Sequence, residues 1–188
     1  MKKILTLILF LCLSACFGGV SPTSQFYTLE SVSNVNPLSD KKITIGIGGP
    51  DIPSYLDRTQ MVFNDGANVT ISETHRWVES FGKLFSSIVI NDMNAYLPNA
   101  IIQNKMLSVQ PSKINVSIQV SQFSAKLNSD VLMSVLWTIS DEDENVLSQQ
   151  RATLKANAGS SYAEYSSSVS RLAGQLAEKI SKSLLSHF

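Results

Sequence analysis

Residues 130–140 read DVLMSVLWTIS. Val131, Met133, Val135, Trp137 and Ile139 recur at every second position, the side-chain period of a β-strand. Leu132 and Leu136 put apolar groups on the opposite face as well. The stretch is therefore expected to be a central strand, covered on at least part of both sides. Upstream, residues 115–121 (NVSIQVS) alternate cleanly, with Val116, Ile118 and Val120 on one face and Ser117, Gln119 and Ser121 on the other. Phe123 falls off that phase, which marks a strand end or a bulge. Downstream, residues 141–145 (DEDEN) read as a hairpin tip and residues 146–156 as the returning strand.

Helical periodicity flanks this sheet. Residues 162–185 carry Tyr162, Tyr165, Val169, Leu172, Ala173, Leu176, Ile180 and Leu184 at three- and four-residue spacing. Ser161 and Glu164 just before the run fit a capping box. The serine-rich remainder is expected to face solvent or to pack against a neighbour, and Ala173, Gly174 and Ala177 close to it permit close packing against a partner or the same domain. A first long helix is expected from about Arg76 to Leu97, stopped by Pro98. Its apolar face holds Trp77, Phe81, Leu84, Phe85, Ile88, Met93, Tyr96 and Leu97.

Earlier still, residues 42–48 (KITIGIG) and 25–32 (QFYTLESV) read as strands. In the first of these Ile43, Ile45 and Ile47 face the core. Residues 60–63 and 68–72 form a short hairpin around Asn64, Asp65 and Gly66. The fold expected is a single α/β domain: a mixed, largely antiparallel sheet packed by two long amphipathic helices.

The N-terminus reads differently. Lys2 and Lys3 precede an apolar run over residues 4–13, about half the length of a bilayer-spanning helix. Leu13, Ser14, Ala15 and Cys16 then form a lipobox, in which the cysteine is lipidated and becomes the first mature residue. Residues 1–15 are thus expected to be a lipoprotein signal peptide. Residues 16–24 are then the lipidated N-terminus and a flexible tether, and residues 25–188 the domain. Cys12 leaves with the signal, so no disulfide is available to the mature chain. Phe17 follows the cysteine where the usual inner-membrane retention signal has aspartate, which points to the periplasmic face of the outer membrane.

Little in the chain points to chemistry. The whole sequence of 188 residues balances 15 Lys+Arg against 15 Asp+Glu, with only 16 % charged, which argues against a nucleic-acid binder. His75 and His187 belong to no H-E-x-x-H pattern, and no G-x-S-x-G elbow exists. A serine–histidine set built on His75 stays open, because such sets form in space. Gly46, Gly48 and Gly49 follow a strand without phosphate-loop spacing, so close backbone packing is the expected role. Asp141, Glu142, Asp143 and Glu144 lack the EF-hand pattern and suit a solvated hairpin tip. No enzyme, metal or cofactor is expected beyond covalent lipid on Cys16. The pattern leaves Phe26, Tyr27 and Trp77 open between core and interface.

Several segments together resemble the ABC-type transport auxiliary lipoproteins, in particular the PqiC (YmbA) kind. They are the lipobox, Phe26-Tyr27-Thr28-Leu29, Ile52-Pro53-Ser54-Tyr55-Leu56-Asp57-Arg58 with Gln60 and Val62, and Arg76-Trp77 with Glu79. Thr59 stands where the family usually has proline, and Val78, Ser80 and Phe81 also depart from its pattern. The resemblance implies a non-enzymatic lipoprotein anchored in the outer membrane by acyl chains. It would dock an MCE-domain, PqiB-like tube, work with a PqiA-like inner-membrane protein, and assemble as a homo-oligomeric ring. Lipid transport between membranes and envelope integrity would be the outcome. The implied contact surface is Tyr55, Leu56, Asp57, Arg58, Arg76 and Trp77; the equal structural reading has Tyr55 and Leu56 plug the sheet edge while Asp57 and Arg58 cap or pair locally. A lipid-binding shuttle, needing an apolar cavity beneath the two helices, and a lipoprotein hydrolase using His75 are the alternatives.

Overall fold

The computed structural model describes residues 22–108 and 110–188. The signal peptide, Cys16 and most of the tether lie outside the described residues. Eight strands and two long helices follow in chain order: β1 (Gln25–Tyr27), β2 (Thr44–Ile47), β3 (Gln60–Asp65), β4 (Asn68–Trp77), α1 (Phe81–Tyr96), β5 (Ile101–Asn104), β6 (Ile114–Ala125), β7 (Asp130–Asp141), β8 (Val146–Asn157) and α2 (Tyr162–Leu184). A short 3-10 turn, Leu185–His187, follows α2.

The sheet forks at β6. One side of β6 pairs antiparallel with β7, which pairs antiparallel with β8. Its other side holds β2 in parallel near its start and β3 antiparallel at its end. The β2 branch continues to β5 in parallel, and the β3 branch to β4 and then β1. Between the branches Asp51 bridges to Gln119, its N–H on the Ile118 carbonyl at 2.9 Å and its carbonyl taking the Val120 N–H at 2.8 Å. This is the mixed, mostly antiparallel sheet that the alternation predicts. The register shift between Val120 and Gln122 is a bulge that turns Phe123 into the core.

Both helices lie on one face of the sheet. The inward side chains of β7 (Val131, Met133, Val135, Trp137, Ile139) are buried, whereas Leu132 and Leu136 on the far face are only half-buried. The expected cover on both faces of β7 is thus corrected to one. The far-face leucines are sheltered by flanking strand side chains rather than by a helix. Trp137 Nε1 donates to Ser183 Oγ at 3.0 Å, tying the central strand to α2.

Several elements differ from expectation, among them β4, which runs on to Trp77 instead of ending at Ser72, and β6, which spans Ile114–Ala125 rather than residues 115–121. The first helix starts at Phe81 rather than Arg76, because His75, Arg76 and Trp77 pair with Gln25, Phe26 and Tyr27 and so stay extended. A fourth late strand, β5, was not foreseen; its four residues are too few to show a period. The first strand stops at Tyr27 instead of Val32.

Residues 28–38 instead form a strap along the two helices. Ser166 Oγ donates to the Thr28 carbonyl at 2.6 Å, and the Glu30 N–H donates to Ser170 Oγ at 3.0 Å. The Val32 N–H reaches Asp92 Oδ1 of α1 at 2.9 Å. Val32 packs where Gly174 has no side chain; a Cβ there would stand 2.5 Å from Val32 Cγ1. Two residues of extended chain advance about 6.6 Å and four helical residues about 6 Å, so the strap keeps step with positions 166, 170 and 174. The strap ends where the Leu38 N–H caps the Tyr96 carbonyl at 2.8 Å. Of the settings the sequence leaves open for this face, Ser166 and Ser170 take packing within the same domain, while Ser167 faces solvent.

Asp92 is fully buried and its Oδ2 has no hydrogen-bond partner. Burial raises its pKa, opposed by bonds from Val32 and Ser31. Its titratable neighbour is Tyr96, which is itself placed near Glu178 and Lys182 of α2. A carboxyl raised on folding stabilises the fold below its ordinary value of 3.8, and that contribution is lost as pH rises through the raised value. Asp92→Asn keeps an acceptor for Val32 and removes the titration. Urea unfolding is expected to show the variant more stable than the parent near pH 7.5, with the gain gone near pH 3.5. A gain of equal size at both pH values would contradict this.

Candidate functional site

The residues singled out by sequence converge at the start of α1. Residues 52–58 form a loop closed by the Leu56 N–H on the Pro53 carbonyl at 2.8 Å. Ser80, the N-cap of α1, makes no side-chain cap bond, and the first turn holds no acidic residue. The anion arrives from the loop: Asp57 Oδ1 accepts from the Gly82 N–H at 3.1 Å. The Arg58 carbonyl accepts the Phe81 N–H at 3.2 Å, and the Thr59 carbonyl accepts the Trp77 N–H at 2.6 Å. Tyr55 lies across the gap between the two sheet branches, where its OH donates to the Phe123 carbonyl and accepts from Asn64 Nδ2.

Leu56 and Trp77 are buried, Trp77 against Phe81 and Tyr165. Asp57 is exposed; Tyr55, Arg58 and Arg76 are half-buried. The arrangement plugs the fork in the sheet and starts a helix. At the surface left at this corner Val78 joins Arg76, one of the implied contact residues, and Phe26, which the sequence leaves open between core and interface. Phe26 is 63 % exposed and sits beside Arg76 in register, while Val78, 52 % exposed, donates its N–H to the Tyr27 carbonyl. Strand alternation carries the signal: Tyr27 and Trp77 turn inward, so Phe26 and Arg76 turn outward.

His75 is held by its neighbours. Its ring stacks on Tyr162 at 3.6 Å between centroids and on Tyr27 at 5.8 Å. Nδ1 lies 3.1 Å from Thr74 Oγ1 and 3.4 Å from Ser72 Oγ. That serine is nearly buried and already accepts the His75 backbone N–H at 3.0 Å. Among the described residues no carboxylate bonds the ring, so nothing orients it as a base toward Ser72.

The remaining motifs are structural. A Cβ on Gly46 would stand 2.5 Å from Ser112 Oγ, the close approach expected of this glycine. At the β7–β8 tip Asp141 accepts from the N–H groups of Asp143 and Asn145 and from the Asn145 side chain, which lowers its pKa. Glu142 pairs with Lys113 and Glu144 with Lys105. Among the described residues no group of three His, Cys, Asp or Glu side chains could hold a metal ion, and no helix is long and apolar enough to cross a membrane. The space beneath the helices is filled by fully buried Phe85, Val89, Met93, Leu172, Leu176 and Ile180.

Comparison with known proteins adds the family. The model of the ABC-type transport auxiliary lipoprotein component matches residues 27–181. No curated protein matches the chain. A crystal structure of an uncharacterized protein superposes with a TM-score of 0.70 at 14 % identity, over 87 % of this chain and 99 % of that one. A Xanthomonas campestris protein of the DUF330 family also gives 0.70, at 10 % identity, over 87 % and 100 %. These two likenesses are of fold.

The cap geometry has a direct test. Asp57→Ala is expected to cost about 1 kcal/mol of stability in urea unfolding, and Asp57→Asn much less, because asparagine also caps. Equal losses in the two variants would remove the cap from the account.

Proposed function

The chain belongs to the ABC-type transport auxiliary lipoprotein family, and from that premise we propose that it is a docking adapter anchored on the periplasmic face of the outer membrane. In this reading Cys16 carries the acyl chains and residues 17–24 tether the domain. Two or more acyl chains hold firmly where one holds only marginally. The domain receives an MCE-domain, PqiB-like tube that works with a PqiA-like inner-membrane protein, and copies of the chain form a ring around it. Transport of lipids between membranes follows from that bridge, and envelope integrity depends on it.

The family match over most of the chain is the observation that carries this reading. The geometry supports a binding role over a chemical one. Its helices are packed solidly onto the sheet, which disfavours the shuttle, and the bonding of His75 disfavours the hydrolase. Exposed Phe26 and Val78 with half-buried Arg76 refine the expected contact surface, since Leu56 and Trp77 are committed to the core. Tethering raises local concentration, so such a small patch suffices for docking.

Cys16→Ala is expected to abolish acyl mass and to take the protein out of the outer-membrane fraction. The lipidated double variant Phe26→Asp with Arg76→Glu should stay in that fraction with an unchanged melting temperature, yet lose co-purification with the MCE partner. A free Cys16 thiol in the mature protein, or undiminished co-purification, would overturn the proposal.

A further inference from the structure

A groove lies at the opposite end of the domain from β1. It opens across the starts of β2, β5 and β6 and the β7–β8 hairpin, with a volume of about 670 Å³. That falls within the ordinary range for small-molecule sites, about 300–1,000 Å³. Its floor is apolar: Ile43, Ile101, Leu147 and Phe188 line it. Ile101 is 55 % exposed and Leu147 41 %, unusual for a β-strand isoleucine and leucine with nothing on them. Lys41 and Lys42 edge the groove along the run into β2.

The charges around the groove are unequal. Lys113, also at the rim, is matched by Glu142, whose oxygens lie 2.8 and 3.1 Å from its Nζ. Asp141 is occupied by the hairpin turn, and His187 Nε2 lies 3.2 Å from Ser148 Oγ. Asp40, just outside, has its side chain 3.5 Å from Asn99 Nδ2. Among the described residues neither Lys41 nor Lys42 forms an ion pair. An apolar trough with two unmatched ammonium groups at its edge is complementary to one kind of small molecule.

We propose that this groove binds a single-chain amphiphile with an anionic head, its head at Lys41 and Lys42 and its chain over Ile101 and Leu147. A long acidic polypeptide matches less well, because only two of the three lysines lining the groove are unmatched and Asp141 also lines it. Each methylene fully removed from water tightens binding about fourfold, so a half-covered chain gains about twofold per methylene. The two lysines together add about two- to thirtyfold, the range for two exposed charge contacts. The site is independent of the docking patch at Phe26, so either can fail without the other.

The test uses the full lipidated chain in nanodiscs of neutral phospholipid. Dodecanoate carrying a terminal diazirine is photolysed with the protein, beside the alcohol of the same chain and diazirine, and adducts are mapped by mass spectrometry. The acid should label peptides containing Ile101 or Leu147 at least about twofold more than the alcohol. Lys41→Gln with Lys42→Gln should erase that excess, Leu147→Asp should remove labelling by both probes, and Lys105→Gln should change nothing. Equal labelling by acid and alcohol, adducts confined elsewhere, or an excess that survives the lysine changes would overturn the proposal. So would labelling at alcohol level together with saturable binding of soluble polyglutamate, which would assign the groove to an acidic polypeptide.

Discussion

The constraint on which the rest of the structure depends is the seating of residues 28–38 on the two helices. An extended segment has no secondary-structure partner for its backbone groups, and burying them unpaired costs about 1–3 kcal/mol each. Here α2 supplies Ser166 and Ser170, α1 supplies Asp92, and Gly174 removes the one side chain that would hold the strap away. Leu29 enters the core as a result, worth about 1.5–3 kcal/mol of apolar burial. The serines are buried because they bond the strap, and the strap is ordered because they are there. Neither side of that exchange is favourable alone.

This seating also fixes where the chain enters the domain. The strap begins beside Tyr162 at the start of α2 and follows that helix toward its end. A 23-residue helix spans about 35 Å, so β1 stands at one end of the domain and the lysine-rimmed groove opens at the other. Around the entry end stand Phe26, Arg76 and Val78 on the sheet edge, supported from beneath by Trp77 and by the loop that caps α1. Both ends of α1 are completed by distant segments, Asp57 at its start and Leu38 at its finish. A polar surface bearing localised apolar patches on a rigid body suits a part that holds others in place.

Much of this was legible in the sequence because side-chain period reports burial directly. The central strand, its hairpin return and the capping box at Ser161 and Glu164 all declared themselves, since each is specified by residues close in the chain. What stayed hidden was specified at a distance. The Arg76-Trp77 pair sits in phase with α1, yet its parallel pairing with β1 holds it extended, and nothing local announces that pairing. The serines of α2 look like a solvated face until the strap is known to lie on them. For the candidate site, the resemblance implied one surface for Tyr55 to Arg58 with Arg76 and Trp77, and nothing in the pattern separates the inward residues from the outward ones. Strand β1 made that separation, turning Phe26 out and Tyr27 in.

Hydrogen exchange at the Glu30 and Val32 amides tests the seating most directly. If the strap folds with the helices, both amides exchange only on global unfolding, at the rate of core amides in β7, and both speed up together in a Ser170→Ala, Asp92→Ala variant. Exchange of these two amides at free-chain rates, while β7 remains protected, would mean that the segment is not part of the folded unit and that the account is wrong at its base.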